Sequence, residues 1–181
     1  WAGAPARLRA RVERARAGGA PGLPDWSDAG LEATLERWLG PWLGEVGSAE
    51  RLADLDLRAI LEAALDHGAR RALDAAAPES FTAPTGTRVP IDWSGERPSA
   101  AVRVQELFGL DVHPTAAGEP LVLELLSPAR RPAATTSDLP GFWRGGYADL
   151  RKDLRGRYPR HPWPERPWEA EPTRRAKPKG R

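Results

Sequence analysis

The spacing of apolar residues changes twice along this chain, and each change marks a different kind of element. Up to Ala76 they recur every three or four positions, the period of helices with one buried face. Within residues 6–17, Leu8, Val12 and Ala15 form a stripe too narrow to stand alone, ringed by Arg7, Arg9, Arg11, Arg14 and Arg16. Residues 18–24 read as a linker. Ser27 then suits the N-cap of a helix carrying Leu31, Leu35, Trp38, Leu39, Trp42 and Leu43, which Gly40-Pro41 should kink or split. Ser48 caps a short turn, and Asp56 opens one longer helix reaching about Ala76, with Leu57, Ile60, Leu61, Ala64, Leu65 and Leu73 on its face.

Past Pro78 the period becomes two. Val89, Ile91 and Trp93 alternate with Arg88, Pro90 and Asp92, a strand that Pro90 confines to an edge or bulge. Residues 94–98 are turn material, so residues 100–104 complete a hairpin. Residues 105–110 make a short helical turn. The run P-L-V-L-E-L-L, residues 120–126, is the most apolar strand and reads as central, with residues 133–136 pairing back onto it.

Helical spacing returns over residues 138–164. Trp143, Tyr147, Leu150, Leu154 and Tyr158 share one face, with Arg144, Arg151 and Arg155 on one edge and Asp149 and Asp153 on the other. Asp138 caps the start, and Gly156 and Pro159 end the helix. The predicted fold class is α+β: an N-terminal helical segment, then a small, mainly antiparallel four-stranded sheet in the order β-β-α-β-β-α, covered by a C-terminal amphipathic helix and followed by an extended basic Pro-rich tail. The expected divisions are an Arg-rich helix and linker (1–20), a helical segment (21–78), an α+β domain (79–160) and the tail (161–181).

Composition and charge change this picture in several ways. A hydrophobic fraction of 40% is enough for a core. There is no cysteine, which excludes disulfides and thiolate chemistry, and no methionine, which suggests a piece of a longer chain. No apolar run is long enough to cross a bilayer, and a cytoplasmic setting is expected. Net charge is only +2, yet residues 144–181 hold 12 Lys and Arg against 5 Asp and Glu. That imbalance reads either as a polyanion-facing end or as a solubilising one. Under the first reading the candidate nucleic-acid contacts are Arg144, Arg151, Arg155, Arg157, Arg160, Trp163, Arg174, Arg175 and Lys177. Trp163 and Trp168 either pack back on the body or stack on a ligand.

Catalytic motifs are missing. There is no G-x-x-x-x-G-K-[ST] loop, no acidic box for magnesium and no G-x-S-x-G turn. His67, His113 and His161 lack metal-ligand spacing, and nothing in the spacing of Glu106 and Glu124 makes them a carboxylate pair.

Several motifs occur in a telling order. They are D-W-S-D (25–28), R-W-L-G-P-W-L-G (37–44), V-R-V-Q-E-L-F-G-L (102–110), L-L-S-P-A-R-R-P (125–132), F-W-R-G-G-Y-A-D-L-R-K-D-L-R-G-R-Y-P-R-H-P-W-P (142–164) and E-P-T-R-R-A-K-P (171–178). Together they resemble the C-terminal end of bacterial HrpB-type ATP-dependent helicases, the fifth and longest being highly specific. The resemblance implies a parent of the DEAH-box, superfamily 2 class, with two RecA-like motor domains followed by winged-helix, helical-bundle and OB-like parts. It implies ATP and magnesium in that parent and no cofactor here, since the Walker A loop, the DEAH box and the arginine fingers lie outside this chain. Implied partners are the upstream helicase domains of the same chain and RNA. The competing expectation is a docking module for the motor or a partner protein, without direct nucleic-acid binding.

Overall fold

A computed structural model describes residues 1–44 and 54–175. The chain divides into two compact units, Trp1–Pro78 and Glu79–Arg181.

The first unit is helical. Helix α1 (Gly3–Ala17) buries Val12 and Ala15 completely. Its narrow stripe is widened by Arg11, a buried cation whose Nε donates to the Ala77 carbonyl and whose Nη2 pairs with Asp74. Ser27 caps α2 (Asp28–Ala33) by accepting from Gly30 N–H at 3.1 Å. Gly30 is required there, because a Cβ would collide with the Asp25 carbonyl oxygen. The helix expected to continue through Leu43 is three short ones, α2, α3 (Leu35–Trp38) and α4 (Gly40–Leu43). Gly40-Pro41 makes the second break, as its chemistry requires. The first falls at Thr34, whose hydroxyl bonds back to the Gly30 carbonyl at 2.7 Å and competes with helix continuation.

The single helix expected from Asp56 to Ala76 is also interrupted. Asp56 does cap α5 (Leu57–Ala64), but Leu65 turns extended and Asp66 caps a separate α6 (His67–Ala76) by accepting from Ala69 N–H at 2.7 Å. An Asp that can satisfy a free helix N–H favours a new start over an interior position. Arg70 closes the joint by donating to the Leu65 and Glu62 carbonyls at the end of α5. α1 packs on α5 and α6, and α3 on α5. Ser48 lies outside the described residues.

The second unit carries the sheet, which corrects the sequence expectation. It has three strands, not four, and is mixed: β3 (Ser99–Arg103) runs parallel to β6 (Val122–Leu126), and β7 (Pro132–Thr136) antiparallel to it. β6 is central as expected, with Leu123 and Leu125 fully buried. The supposed hairpin between residues 88–93 and 100–104 shrinks to one bridge, Asp92 with Ser99. Instead β2 (Arg88–Pro90) pairs antiparallel with β1 (Ser80–Thr82) as a separate ribbon. Pro90 and Pro98 offer no N–H for a longer ladder, and the Asp92 carboxylate turns the chain by accepting from Ser94. A second small ribbon, β4 (Thr115–Ala116) with β5 (Glu119–Pro120), turns through Ala117 and Gly118, both at positive φ.

The long C-terminal helix is broken as well, into α7 (Leu139–Arg144) and α8 (Tyr147–Arg157). Gly145 leaves helical geometry at φ −124°, ψ −94°, while Phe142 packs against Gly146. The apolar face survives the break. Trp143, Tyr147 and Leu154 are buried, with Leu150 and Tyr158 half-buried. Trp143 and Tyr147 meet edge to face at 5.3 Å, and the buried Phe108 closes the cluster at 6.1 and 6.2 Å from them. His113 ties this layer to the sheet. Its Nδ1 accepts from Leu139 N–H at 3.0 Å, so Nε2 carries the proton that reaches the Leu121 carbonyl at 2.7 Å.

Candidate nucleic-acid interface

Beyond Tyr158 the chain is extended, but it is not loose. Trp163 is buried, its indole N–H bonded to the Tyr158 carbonyl at 2.9 Å. Pro167, also buried, accepts from Gly109 N–H at 2.9 Å and opens a 3-10 turn through Glu169. Thr173 N–H then reaches the Gln105 carbonyl at 3.0 Å. The tail therefore returns along residues 103–110 and brings its charges with it.

This return sorts the candidate cations. Arg144 makes a two-pronged bond with Asp111, both contacts at 2.8 Å, and lies over the Trp168 ring at 5.0 Å. The Arg144 hydrogen bonds hold the Asp111 carboxyl below the usual carboxylate range, against a smaller opposing effect of burial. Arg151 donates to the Trp163 carbonyl at 2.9 Å and pairs with Glu165 at 3.1 Å. Arg157 pairs with Asp153 one turn earlier at 3.0 Å. Arg144 and Arg151 thus fasten the tail and Arg157 braces α8, while Trp163 is folded into the core. Arg155, Arg160, Arg174 and Arg175 are exposed, without side-chain partners among the described residues. Lys177 lies outside the described residues.

Arg103 was absent from the sequence-derived set. It sits at the end of β3, and its Nη1 bonds to the Arg174 carbonyl at 3.4 Å while its Nε pairs with Glu106 at 2.8 Å. His161 lies in the same neighbourhood, its pKa pushed below the ordinary imidazole value by partial burial first and then by the charges of Arg103 and Arg160. Arg160, Arg103 and the start of the terminal basic run are thus gathered by chain reversal. No signal in the sequence links Arg103 to residues sixty or seventy positions away.

Glu106 beneath them is buried. Burial alone would raise its pKa, but hydrogen bonds from Thr87, Arg103 and Thr85 outweigh that and hold it below the usual range. It serves as an internal counter-ion. Among the described residues no group of three or more His, Asp or Glu side chains could hold a metal, and no helix is long and apolar enough to cross a membrane.

Residues 38–167 match the family model HrpB_C, described as ATP-dependent helicase C-terminal, and the chain belongs to that family of helicase C-terminal domains. Over 159 residues it is 46% identical to the ATP-dependent RNA helicase HrpB of Escherichia coli (strain K12), which covers 84% of this chain and 20% of the relative. A crystal structure of the E. coli DExH-box NTPase HrpB superposes on 97% of the chain with a TM-score of 0.87 and 42% identity, covering 22% of that protein. A crystal structure of the Escherichia coli DEAH/RHA helicase HrpB superposes on 90% of the chain with a TM-score of 0.69 and 40% identity, covering 21% of it. The chain spans about a fifth of the length of these relatives.

Proposed function

We propose that this chain is the accessory C-terminal module of an ATP-dependent RNA helicase, supporting the motor and contacting RNA through the basic surface at its C-terminal end. ATP and magnesium belong to the motor of the longer chain, in a cytoplasmic setting. The observation that carries the RNA contact is the return of the exposed Arg174 and Arg175 to the end of β3, where Arg103 bonds to the Arg174 carbonyl, with Arg103 and Arg160 both near His161. A cluster of exposed guanidinium groups attracts phosphates without reading sequence, so affinity should fall in the non-specific range, about 10⁻⁴ to 10⁻⁶ M. With Trp163 buried and the half-buried Trp168 covered by Arg144, base stacking contributes little, and charge dominates.

The test is fluorescence anisotropy of a labelled single-stranded RNA at several salt concentrations. A variant with Arg160, Arg174 and Arg175 all changed to alanine should bind more weakly and with a flatter salt dependence. An affinity indifferent to those three changes would refute the terminal contact.

A docking role for the motor domains rests on a different observation. The first unit contains an open hollow of about 480 Å³ lined by Trp26, Trp38, Trp42 and Ile60, and Trp42 is 46% exposed. If no RNA binds even at low salt, that role becomes the better account.

A further inference from the structure

A groove of about 240 Å³ opens in the second unit between β2, β3 and the turn joining β6 to β7. Three of the residues lining it are arginines, Arg88, Arg103 and Arg130, and the buried Val89 and Val102 line it as well. One acid, Glu106, also lines it, but both its carboxylate oxygens are taken. Oε1 accepts from Arg103 and Oε2 from the hydroxyls of Thr85 and Thr87. The groove therefore presents excess positive charge. Arg88 spends only its Nε, on Ser80 at 3.1 Å, and Arg103 keeps Nη2 free among the described residues. The Arg130 guanidinium has no partner among the described residues.

Arg130 adds an independent observation. It lies at φ +60°, in the left-handed region that L side chains rarely adopt. The turn from Ser127 to Arg131 closes with Arg130 N–H on the Ser127 carbonyl, and this geometry favours glycine or asparagine at that position. A long cationic side chain is held there at a conformational cost, where it lines the groove. Such cost tends to accumulate at ligand sites.

We infer that this groove is a seat for a phosphodiester of single-stranded RNA, gripped by Arg88, Arg103 and Arg130 as it passes toward Arg174. The inference rests on the RNA-contact reading above and adds a site to it. Guanidinium forks match phosphate oxygens in pairs, which ammonium groups do not. The lining offers three arginines and no aromatic ring on which a base could stack, so it suits a phosphate rather than a nucleobase. Recognition is therefore of the backbone, without base preference.

The test uses the 181-residue chain and a fluorescein-labelled 12-nucleotide oligouridylate, with anisotropy read across a salt series. Arg130→Gly should relax the turn and raise the melting temperature, yet weaken binding about tenfold, the scale of one charge-assisted contact. Its salt slope should drop by about 0.7, the value for one phosphate on a single strand. Arg88→Ala should act in the same direction, and Arg130→Lys should recover only part of the loss. An abasic oligomer of equal length should bind nearly as well as the oligouridylate; a requirement for bases would overturn the backbone assignment. If the unaltered chain binds and Arg130→Gly and Arg88→Ala bind equally well, the groove is not a phosphate seat, while the contact at the terminal run survives. If the unaltered chain does not bind, the RNA-contact reading falls, and the groove with it.

Discussion

Helix α8 offers a graded test of which contacts hold the second unit together. Leu154 is 2% exposed and lies in its core face, so Leu154→Ala removes buried carbon and leaves a cavity costing about 2–5 kcal/mol. Leu150 is half-buried on the same face, and its truncation should cost roughly half as much, about 1–2 kcal/mol. Arg151 is the informative third member. Periodicity alone puts it on a solvated edge, where alanine would cost no more than about 0.5 kcal/mol. Its side chain is in fact 26% exposed and holds the Trp163 carbonyl, which is left without that donor when the guanidinium goes. The expected loss is about 1 kcal/mol, the net worth of one such hydrogen bond. The Glu165 partner, 82% exposed, adds little. Urea unfolding followed by circular dichroism measures all three. With two units in the chain, only the transition of the second should move. The predicted order is Leu154, then Leu150 and Arg151 close together. Arg151→Ala proving the most damaging of the three would refute this account of the face that α8 buries.

Removing residues 165–181 should lower the melting temperature of the second unit, because Gly109 N–H and the Gln105 carbonyl lose their partners and Pro167 its burial; an unchanged melt would show the strap to be dispensable. Asp66→Ala should destabilise the first unit by about 1 kcal/mol, the usual worth of an N-cap, as read by urea unfolding. Glu106 gives a pH signature. Its folded pKa is lowered, so its stabilisation is fully present above the unfolded value near 4.5 and is lost as pH falls through the lower folded value. Thermal melts below about pH 4.5 should therefore decline less steeply for Glu106→Gln than for the unaltered chain, and parallel declines would exclude this contribution.

The local code of this chain is legible in the sequence wherever a single residue acts on its own backbone. Ser27, Asp56 and Asp138 cap helices because a short side-chain oxygen reaches an N–H two or three residues on, and that reach is set by sequence distance alone. The central strand at Val122–Leu126 and the buried face of Trp143, Tyr147 and Leu154 follow from periodicity for the same reason, as does the motif order that marks the family. Pairing and competition were not readable. Parallel alignment of β3 with β6 depends on which strand occupies an edge left open by Pro90 and Pro98, and the extra helix breaks depend on Thr34, Asp66 and Gly145 winning against continuous helix. The basic surface is the clearest division between the two. The sequence supplied an excess of arginine after residue 144, but an arginine carries no mark of its partner. Only the folded chain commits Arg144 to Asp111 and Arg151 to the returning residues 159–175, leaves Arg160 and Arg174 exposed without side-chain partners among the described residues, and brings the Arg174 carbonyl to Arg103. Charge is a property of composition, whereas its availability is a property of what the folded chain puts next to it.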